Sequence, residues 1–278
     1  MNKRKSTGNK LLEIFIVLGT ILIVLGPLYW MIVTSFKTEG EIYQIPPSLT
    51  PINATLENYL YALKETKIPL YFMNSIIYAV LTLGVVMVCV CLAAYAISRF
   101  RFRGKRGYMI FILISQLMPL TTLIVPLYIS FGAMNLLNSR LAIVAVYSAV
   151  QIPIAIWLLL GYFNGIPREI DEAAIIDGCT HFKVLTKIIV PLAKPGLMAM
   201  SLNTVIFVWQ ELMLAMTFTN VDKMRPMMAG ISSAITKSGV KWGQMNAVGI
   251  IAIIPMLIIY IFCQKYLIEG LTGGAVKG

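Results

Sequence analysis

Six long apolar runs, separated by polar segments, set the pattern of this 278-residue chain. A membrane-spanning helix needs about 20 mostly apolar residues, and each run is long enough and carries little or no charge. The pattern therefore predicts an all-α integral membrane protein with a single domain, 1–278. The predicted spans are 11–36, 72–97, 108–131, 141–163, 196–219 and 245–267. Composition agrees, since 58% of the residues are apolar and 13% are charged, about half the charged share of a soluble domain.

The polar segment 166–194, between the fourth and fifth predicted spans, predicts a hairpin of two short helices. Pro167 suits the first turn of a helix, and the acidic residues that follow favour the positive end of the helix dipole. Gly178 is expected to end this helix, and Thr180 to cap a second one. Pro191 is expected to prevent simple continuation of the second helix. The two helices would therefore meet at Gly178.

One face of the first hairpin helix carries small residues. Ala173, Ala174 and Asp177 lie at helical spacing, so they predict a thin face that the backbone of a partner protein could approach closely. The alternative is an amphipathic hairpin that rests on the bilayer surface. Four acidic residues within nine positions suit an anionic membrane surface poorly, which favours a protein partner.

The hairpin residues also carry a resemblance to a known family. The order Glu172-Ala173-Ala174, three residues, Gly178, nine residues, Ile188, one residue, Val190-Pro191 resembles the EAA loop in membrane subunits of ATP-binding-cassette (ABC) importers. Val190 stands where the family usually has Leu. The segments PREIDEAAIIDG, IVPLAKPG, AYAISRFRFRGKR, PLTTLIVPLY and GLTGGAVKG are similar to the carbohydrate-importing branch, the maltose-type MalG family. The resemblance covers nearly the whole chain and implies the type I ABC importer permease fold.

The resemblance implies that the hairpin, 166–194, couples the spans to ATPase subunits. The matching positions are Glu169, Glu172, Ala173, Ala174, Asp177, Gly178, His181, Phe182 and Pro191. The tail 268–278 is similar to the family's tail that reaches between the ATPase subunits. Its residues at that interface would be Gly270, Gly274, Lys277 and Gly278. A frayed terminus is the alternative for this tail.

The distribution of positive charge predicts the orientation of the chain. With the N-terminus inside, inner segments hold 15 of the 23 Lys and Arg residues and outer segments hold 8, so both termini and the hairpin are expected to be cytoplasmic. The strongest evidence is the 99–106 loop, with five cations in eight residues.

The net charge of +11 is spread over separate loops, which excludes nucleic-acid binding. Segment 37–71 is expected to form an extended outer loop with a short helix at 56–64.

Glu211 is the carboxylate that the pattern places near the middle third of a span. An unpaired charge there is expensive, so the side chain should face protein or water. The stretch FVWQELM is similar to a Trp-Asn-Glu stretch of the carbohydrate branch, with Gln210 in place of Asn. Glu211 and Gln210 could belong to the pathway or gate, or Glu211 could make a packing hydrogen bond between helices. Prolines 119, 126 and 153 favour kinks, which either line a cavity or only affect packing.

The sequence indicates neither a cofactor nor a metal site. Cys89 and Cys91 point away from each other on a helix, and Cys179 and Cys263 fall in separate segments. His181 has no Cys or His at ligand spacing. We therefore expect no catalytic, cofactor or metal residues.

The expected function is that of a non-catalytic transport subunit. The phosphate-binding pattern Gly-x-x-x-x-Gly-Lys-Ser/Thr does not occur, so ATP hydrolysis would reside on other chains. The resemblance implies a sugar importer of the bacterial plasma membrane. Its partners would be a MalF-like second permease, two ATP-binding-cassette subunits, an extracytoplasmic sugar-binding protein and membrane lipids. Two alternatives remain, an ion-coupled carrier that uses Glu211 and an importer of another solute such as glycerol phosphate, whereas a membrane enzyme is disfavoured. The enzyme would need a cluster of His, Cys or carboxylates that the sequence lacks.

Overall fold

The computed structural model describes the backbone of residues 7–238 and 241–275 and the side chains of residues 13–232 and 241–264. Helices joined by turns and loops make up this part of the chain, which contains no strand. In chain order the α-helices are α1 (Thr7–Ser35), α2 (Glu39–Ile42), α3 (Glu57–Lys64), α4 (Ile68–Arg99), α5 (Lys105–Leu117), α6 (Leu120–Ala133), α7 (Arg140–Gly165), α8 (Arg168–Ile176), α9 (His181–Val184), α10 (Val190–Leu192), α11 (Lys194–Gln210), α12 (Met213–Phe218), α13 (Met227–Ser238) and α14 (Trp242–Ala275). A π turn (Leu185–Ile189) joins α9 to α10, and a 3₁₀ turn (Asp222–Met224) precedes α13.

Four helices of the described chain, α1, α4, α7 and α14, are long and apolar enough to cross a bilayer unaided. Two bent pairs meet the same criteria together. One joins α5 to α6 at 96°, and the other joins His181–Leu192 to α11 at 82°. Counting each bent pair as one crossing gives six, and the predicted all-α membrane class is confirmed.

The bend between α5 and α6 follows from its sequence. Met118 has extended backbone (φ −73°, ψ 124°) and Pro119 caps α6. The residue before a proline is biased away from the helical region, so the helix stops at Leu117 and restarts after Pro119. Pro126 and Pro153 stay inside α6 and α7. Among these three prolines, only Pro119 interrupts a helix.

The chain forms two compact units, one of residues 1–68 and 233–254 and one of residues 69–232 and 255–278. In the first unit, α3 occupies the short helix predicted at 56–64. The loop before it is held by Glu41, a buried side chain that accepts hydrogen bonds from the Ser48 hydroxyl (2.8 Å) and the Ile52 N–H (2.7 Å). Buried Lys37 donates to the Ser48 carbonyl. The predicted outer loop is therefore folded around two buried charged side chains.

Helix α7 is the centre of the second unit. Twelve of its residues are buried, and α5, α11 and α12 pack on it. Two apolar clusters lie along it. The first cluster combines the end of α4, α7, the hairpin and the start of α11, and the second combines α4, α7, α11 and α12. The hairpin therefore rests on the same apolar core that holds the spans of this unit.

Candidate coupling site

The turn of the hairpin has the geometry that its sequence predicts. Helix α8 starts directly after Pro167, with Glu169 and Asp171 in its first turn. Gly178 has a left-handed backbone (φ +84°), and its N–H donates to the Ile175 carbonyl at 3.0 Å. This is a backbone conformation that glycine adopts without strain. The Thr180 hydroxyl accepts from the Lys183 N–H at 3.4 Å and caps α9. The predicted helix end at Gly178 and the predicted cap at Thr180 are confirmed.

The expected effect of Pro191 is corrected by the structure. The second arm of the hairpin does not end before this residue, because Pro191 lies within α10 and the arm runs to Leu192. The π turn (Leu185–Ile189) directly precedes it, with the Val190 N–H bonded to the Leu185 carbonyl. A wider turn shifts the hydrogen-bond register by one residue, which accommodates the missing N–H of a proline. The bend comes at Ala193, between α10 and α11.

The prediction of an exposed small-residue face holds for two of its three residues. Ala173 and Asp177, four residues apart, are both exposed. Ala174 is 7% exposed and packs in the apolar cluster beneath the hairpin. Successive helical residues are about 100° apart, and here the packed side of α8 includes Ala174 and leaves Ala173 exposed. Ala174 is therefore a packing residue rather than part of the outer surface. The other predicted coupling residues, Glu169, Glu172, Gly178, His181, Phe182 and Pro191, are exposed.

Two large apolar side chains flank the turn at Gly178. Ile176 is 85% exposed and Phe182 is 67% exposed. Acidic Glu172 and Asp177 lie on the same exposed helix and turn. Exposed apolar side chains rimmed by polar groups are typical of protein interaction sites. Ile176 is not among the predicted coupling residues, although an apolar residue two positions before a helix-ending glycine, in a polar helix, was a signal that the sequence carries.

A buried polar network joins the hairpin to the end of α4. Arg99 Nε lies 2.7 Å from Asp171 Oδ2, and both side chains are 8% exposed. The N–H of Nε does not point at that oxygen, so the contact is an ion pair rather than a hydrogen bond. The Tyr95 hydroxyl donates to Asp171 Oδ1 at 3.5 Å, and Arg99 also donates to the Ile166 carbonyl at 3.1 Å. The sequence pattern indicated Arg99 only as part of the cationic 99–106 loop and Asp171 only as an acid of the first hairpin helix, so their pairing was not predicted.

His181 lies at the same junction. Its ring is exposed, and its centroid is 5.0 Å from that of Phe100 in an edge-on contact. Phe100 follows directly after α4 and also contacts the Tyr95 ring edge-on at 6.0 Å. This arrangement leaves His181 exposed on the hairpin, with one side against the loop that follows α4.

Glu211 lies at a break in the predicted span 196–219, not within a continuous helix. Helix α11 ends at Gln210, Glu211 is extended (φ −68°, ψ 120°), and α12 begins at Met213. The carboxylate accepts the N–H groups of Leu214 and Ala215, both at 3.0 Å. These are free donors of the first turn of α12. The carboxylate thus caps the broken helix locally, and it also lies close enough to the buried Tyr147 hydroxyl of α7 to interact with it, which leaves the packing alternative open. Gln210 is exposed.

A cavity of about 550 Å³ lies between the bent pair α5–α6 and α7. Its lining includes Pro153, Ser115 and Gln116 among mostly apolar side chains. The cavity-lining alternative for the prolines therefore holds for Pro153.

The predicted tail residues lie partly outside the residues that the structure describes. Gly270 and Gly274 lie within α14, which extends to Ala275, beyond the predicted span 245–267. Lys277 and Gly278 lie outside the described residues.

The helix order and the exposed hairpin define a polytopic transport permease, and comparison with known proteins names its family. The family "Binding-protein-dependent transport system inner membrane component" matches residues 88–272. The chain is 36% identical to the trehalose/maltose transport system permease protein MalG of Thermococcus litoralis, over 96% of this chain and 97% of that one. It is 33% identical to the sulfoquinovosyl glycerol transport system permease protein SmoH of Agrobacterium fabrum, over 94% and 92%. A solved chain of a bacterial ABC transporter that imports alginate superimposes with a TM-score of 0.85 at 23% identity, over 95% and 99%. The chain belongs to the family of binding-protein-dependent transport system inner membrane components and has the type I ABC permease fold.

Proposed function

We propose that this chain is the permease subunit of an ATP-driven importer of sugars, oligosaccharides among them. It forms the translocation pathway together with a second, different permease. Family membership supports transport that depends on a binding protein. The names of two relatives support the substrate class, since trehalose and maltose are disaccharides and sulfoquinovosyl glycerol is a glycoside. The ion-coupled alternative is disfavoured because Glu211 caps a helix.

The observation that carries the coupling role is the exposed apex of the hairpin around Gly178. Two ATP-binding-cassette subunits dock here and on the equivalent hairpin of the second permease. Ile176 and Phe182 supply apolar area, and Glu169, Glu172 and Asp177 supply negative charge. A groove on each ATPase subunit with an apolar floor and basic rim fits this surface. The chain itself is non-catalytic, and Gly270, Gly274, Lys277 and Gly278 belong to a tail that reaches the ATPase pair.

Transport follows from movement of the hairpin. Closure of the ATPase pair on ATP displaces both hairpins, and the displacement tilts the spans so that the pathway opens to the outside. The binding protein releases its sugar there, and ATP hydrolysis restores the inward-facing state. Binding energy at one site changes the conformation at the other because each ligand favours one of two states.

The proposed orientation puts both termini and the hairpin in the cytoplasm of a bacterial cell, with the chain in the plasma membrane. Cysteine reporters test it in a background where the four native cysteines are replaced. An impermeant thiol reagent added from outside should label a cysteine at Ser48 and spare one at Gly104. Labelling of the cysteine at position 104 and not of the one at position 48 would show that the chain has the opposite orientation.

The function is tested by reconstituting the complete complex into proteoliposomes. Uptake should require ATP and the binding protein, and should persist after a protonophore removes the pH gradient. A panel of maltose, trehalose, larger oligosaccharides and glycerol 3-phosphate identifies the substrate. Uptake driven by a pH gradient without ATP would overturn the proposal, and transport of glycerol 3-phosphate alone would overturn the sugar assignment.

A further inference from the structure

The inner face of the hairpin combines apolar side chains with the buried ion pair of Asp171 and Arg99. Ala174 and Val184 on the hairpin belong to the same apolar cluster as Tyr95 and Ile97 on α4. Apolar contact is non-directional, so such a face adheres without fixing its register. Arg99 and Asp171 add an ion pair, with 2.7 Å between Nε and Oδ2, whose energy depends on the relative position of the two buried charges and so favours one register of this interface.

Further polar contacts surround that pair and involve the last turn of α4. The Ser98 hydroxyl donates to Asn164 Oδ1 at 2.7 Å, and Arg168 donates to the Ser98 carbonyl at 2.8 Å. Arg168 thereby satisfies a carbonyl at the negative end of the α4 dipole. With the bond from Arg99 to the Ile166 carbonyl, the end of α4 is tied to the last turn of α7, the turn after it and helix α8.

Asp171 differs from the other acids of α8 in what it faces. Glu169 and Glu172 are exposed, whereas Asp171 is buried against α4. A charge that is buried and already paired does not contact a docked subunit, and removing its partner would leave an uncompensated buried charge. Asp171 therefore acts inside the permease and not on the docking surface.

We propose that Arg99 and Asp171 are positioning residues that make the hairpin and the end of α4 move as one body. Movement of the docked hairpin is then delivered to α4 and, through α4, to the spans of this unit. The inference rests on the coupling role proposed above, and it separates docking, by the outer face of α8, from transmission, by the inner face.

The test compares two acid-to-amide variants, Asp171→Asn and Glu172→Gln, in the reconstituted complex. ATPase-subunit binding, ATP hydrolysis and sugar uptake are measured on the same proteoliposomes. Asp171→Asn should keep its ATPase subunits and hydrolyse ATP within about twofold of wild type, while uptake and the sugar moved per ATP fall about tenfold or more. Glu172→Gln should lower subunit binding, hydrolysis and uptake together, with the sugar moved per ATP unchanged.

A covalent replacement for the ion pair keeps the proposal testable if Asp171→Asn does not reach the membrane. In the background without native cysteines, Arg99→Cys with Asp171→Cys is treated with a short bifunctional thiol reagent. The bridged protein should transport, and the unbridged protein should not. Three results would overturn the proposal: an unchanged sugar-to-ATP ratio in Asp171→Asn, loss of subunit binding in proportion to uptake, or a bridged protein that is inactive. Absence of ATP-driven uptake in wild type would refute the coupling role instead.

Discussion

At the residue scale, two glycines provide a controlled comparison. Gly178 (φ +84°) and Gly104 (φ +88°) share a left-handed backbone, and a Cβ added at either would meet nothing within 4 Å. A side chain at these positions therefore causes conformational strain of about 1–2 kcal/mol without a clash. Gly178 lies at the proposed docking apex, and Gly104 lies in the 99–106 loop.

Gly178→Ala should weaken ATPase-subunit binding by about 5- to 30-fold, the equivalent of that strain. Gly178→Asp should weaken it further, since it adds negative charge at a helix C-terminus. Gly104→Ala carries the same strain and should bind the subunits normally. Membrane levels and pairing with the second permease should be normal in all three variants. Binding is measured by titrating ATPase subunits onto stripped membranes, and equal affinities for the two alanine variants would contradict the prediction.

The prediction for Glu211 depends on what its carboxylate contacts. Two backbone N–H groups use both oxygens, and the amide of Gln offers only one acceptor oxygen. Glu211→Gln should therefore lose one hydrogen bond, about 1 kcal/mol, with normal insertion and a partial loss of uptake. Gln210→Ala, at the adjacent exposed position, is the control and should be close to wild type. Complete loss of uptake in a normally inserted Glu211→Gln protein would show that the charge itself is required.

At the element scale, the sequence predicted where the hairpin turns better than it predicted which side chains of α8 face the core. Gly178 and Thr180 determine the hairpin turn through local backbone chemistry, which one sequence is enough to show. Which alanine faces the core depends on the position of α4 and α7, and the local pattern carries no information about that. The pairing of Arg99 with Asp171 was not predictable for the same reason.

The two interrupted spans illustrate the same limit. Pro119 makes the bend between α5 and α6 predictable, because proline restricts the preceding residue. The break at Glu211 has neither proline nor glycine beside it. There a carboxylate that caps α12 compensates the lost helical hydrogen bonds, and sequence alone does not distinguish this from a buried functional charge.

Ala173 and Ala174 give a matched test of the two faces of α8. Ala174→Leu inserts three carbons into a packed cluster, and overpacking of this kind costs about 1–3 kcal/mol. It should lower the thermal stability of the purified permease. Ala173→Leu should leave stability unchanged and weaken ATPase-subunit binding, because it thickens the exposed face. If instead Ala173→Leu lowered stability and Ala174→Leu weakened subunit binding, α8 would have to be rotated from its orientation in the structure.

The outer loop should respond to acid through Glu41. The N–H of Ile52, followed by the Ser48 hydroxyl and other contacts, lowers the pKa of Glu41 below its ordinary value of 4.5, against a smaller opposing effect of burial. The loop therefore gains its full stabilisation above pH 4.5 and loses it as pH falls through the lower folded-state pKa. Hydrogen exchange at Ile52, corrected for intrinsic rate, should accelerate at the acid end. Glu41→Gln should exchange faster at neutral pH and lose this pH dependence; a wild-type pH profile in that variant would exclude Glu41 as the cause.

At the scale of the whole molecule, one surface and one core account for the proposed function. The outer face of the hairpin has exposed apolar and acidic side chains, and its inner face shares an apolar cluster with α4, α7 and α11. In the proposed mechanism, a force applied to the outer face passes through this cluster to the helices that form the core of this unit. The hairpin was predicted from its polarity and motif, whereas its connection to the core is apparent only in the structure.

The most direct measurement of the central claim is protection of the hairpin apex by ATPase subunits. A cysteine at Ile176, in the background without native cysteines, is labelled with a polar maleimide in membranes stripped of those subunits and again after they are restored. Labelling at 176 should fall at least tenfold on restoration, while labelling of a cysteine at Ser48 stays constant. Equal labelling at 176 in both membranes, with the subunits bound and hydrolysing ATP, would show that the hairpin is not the docking element.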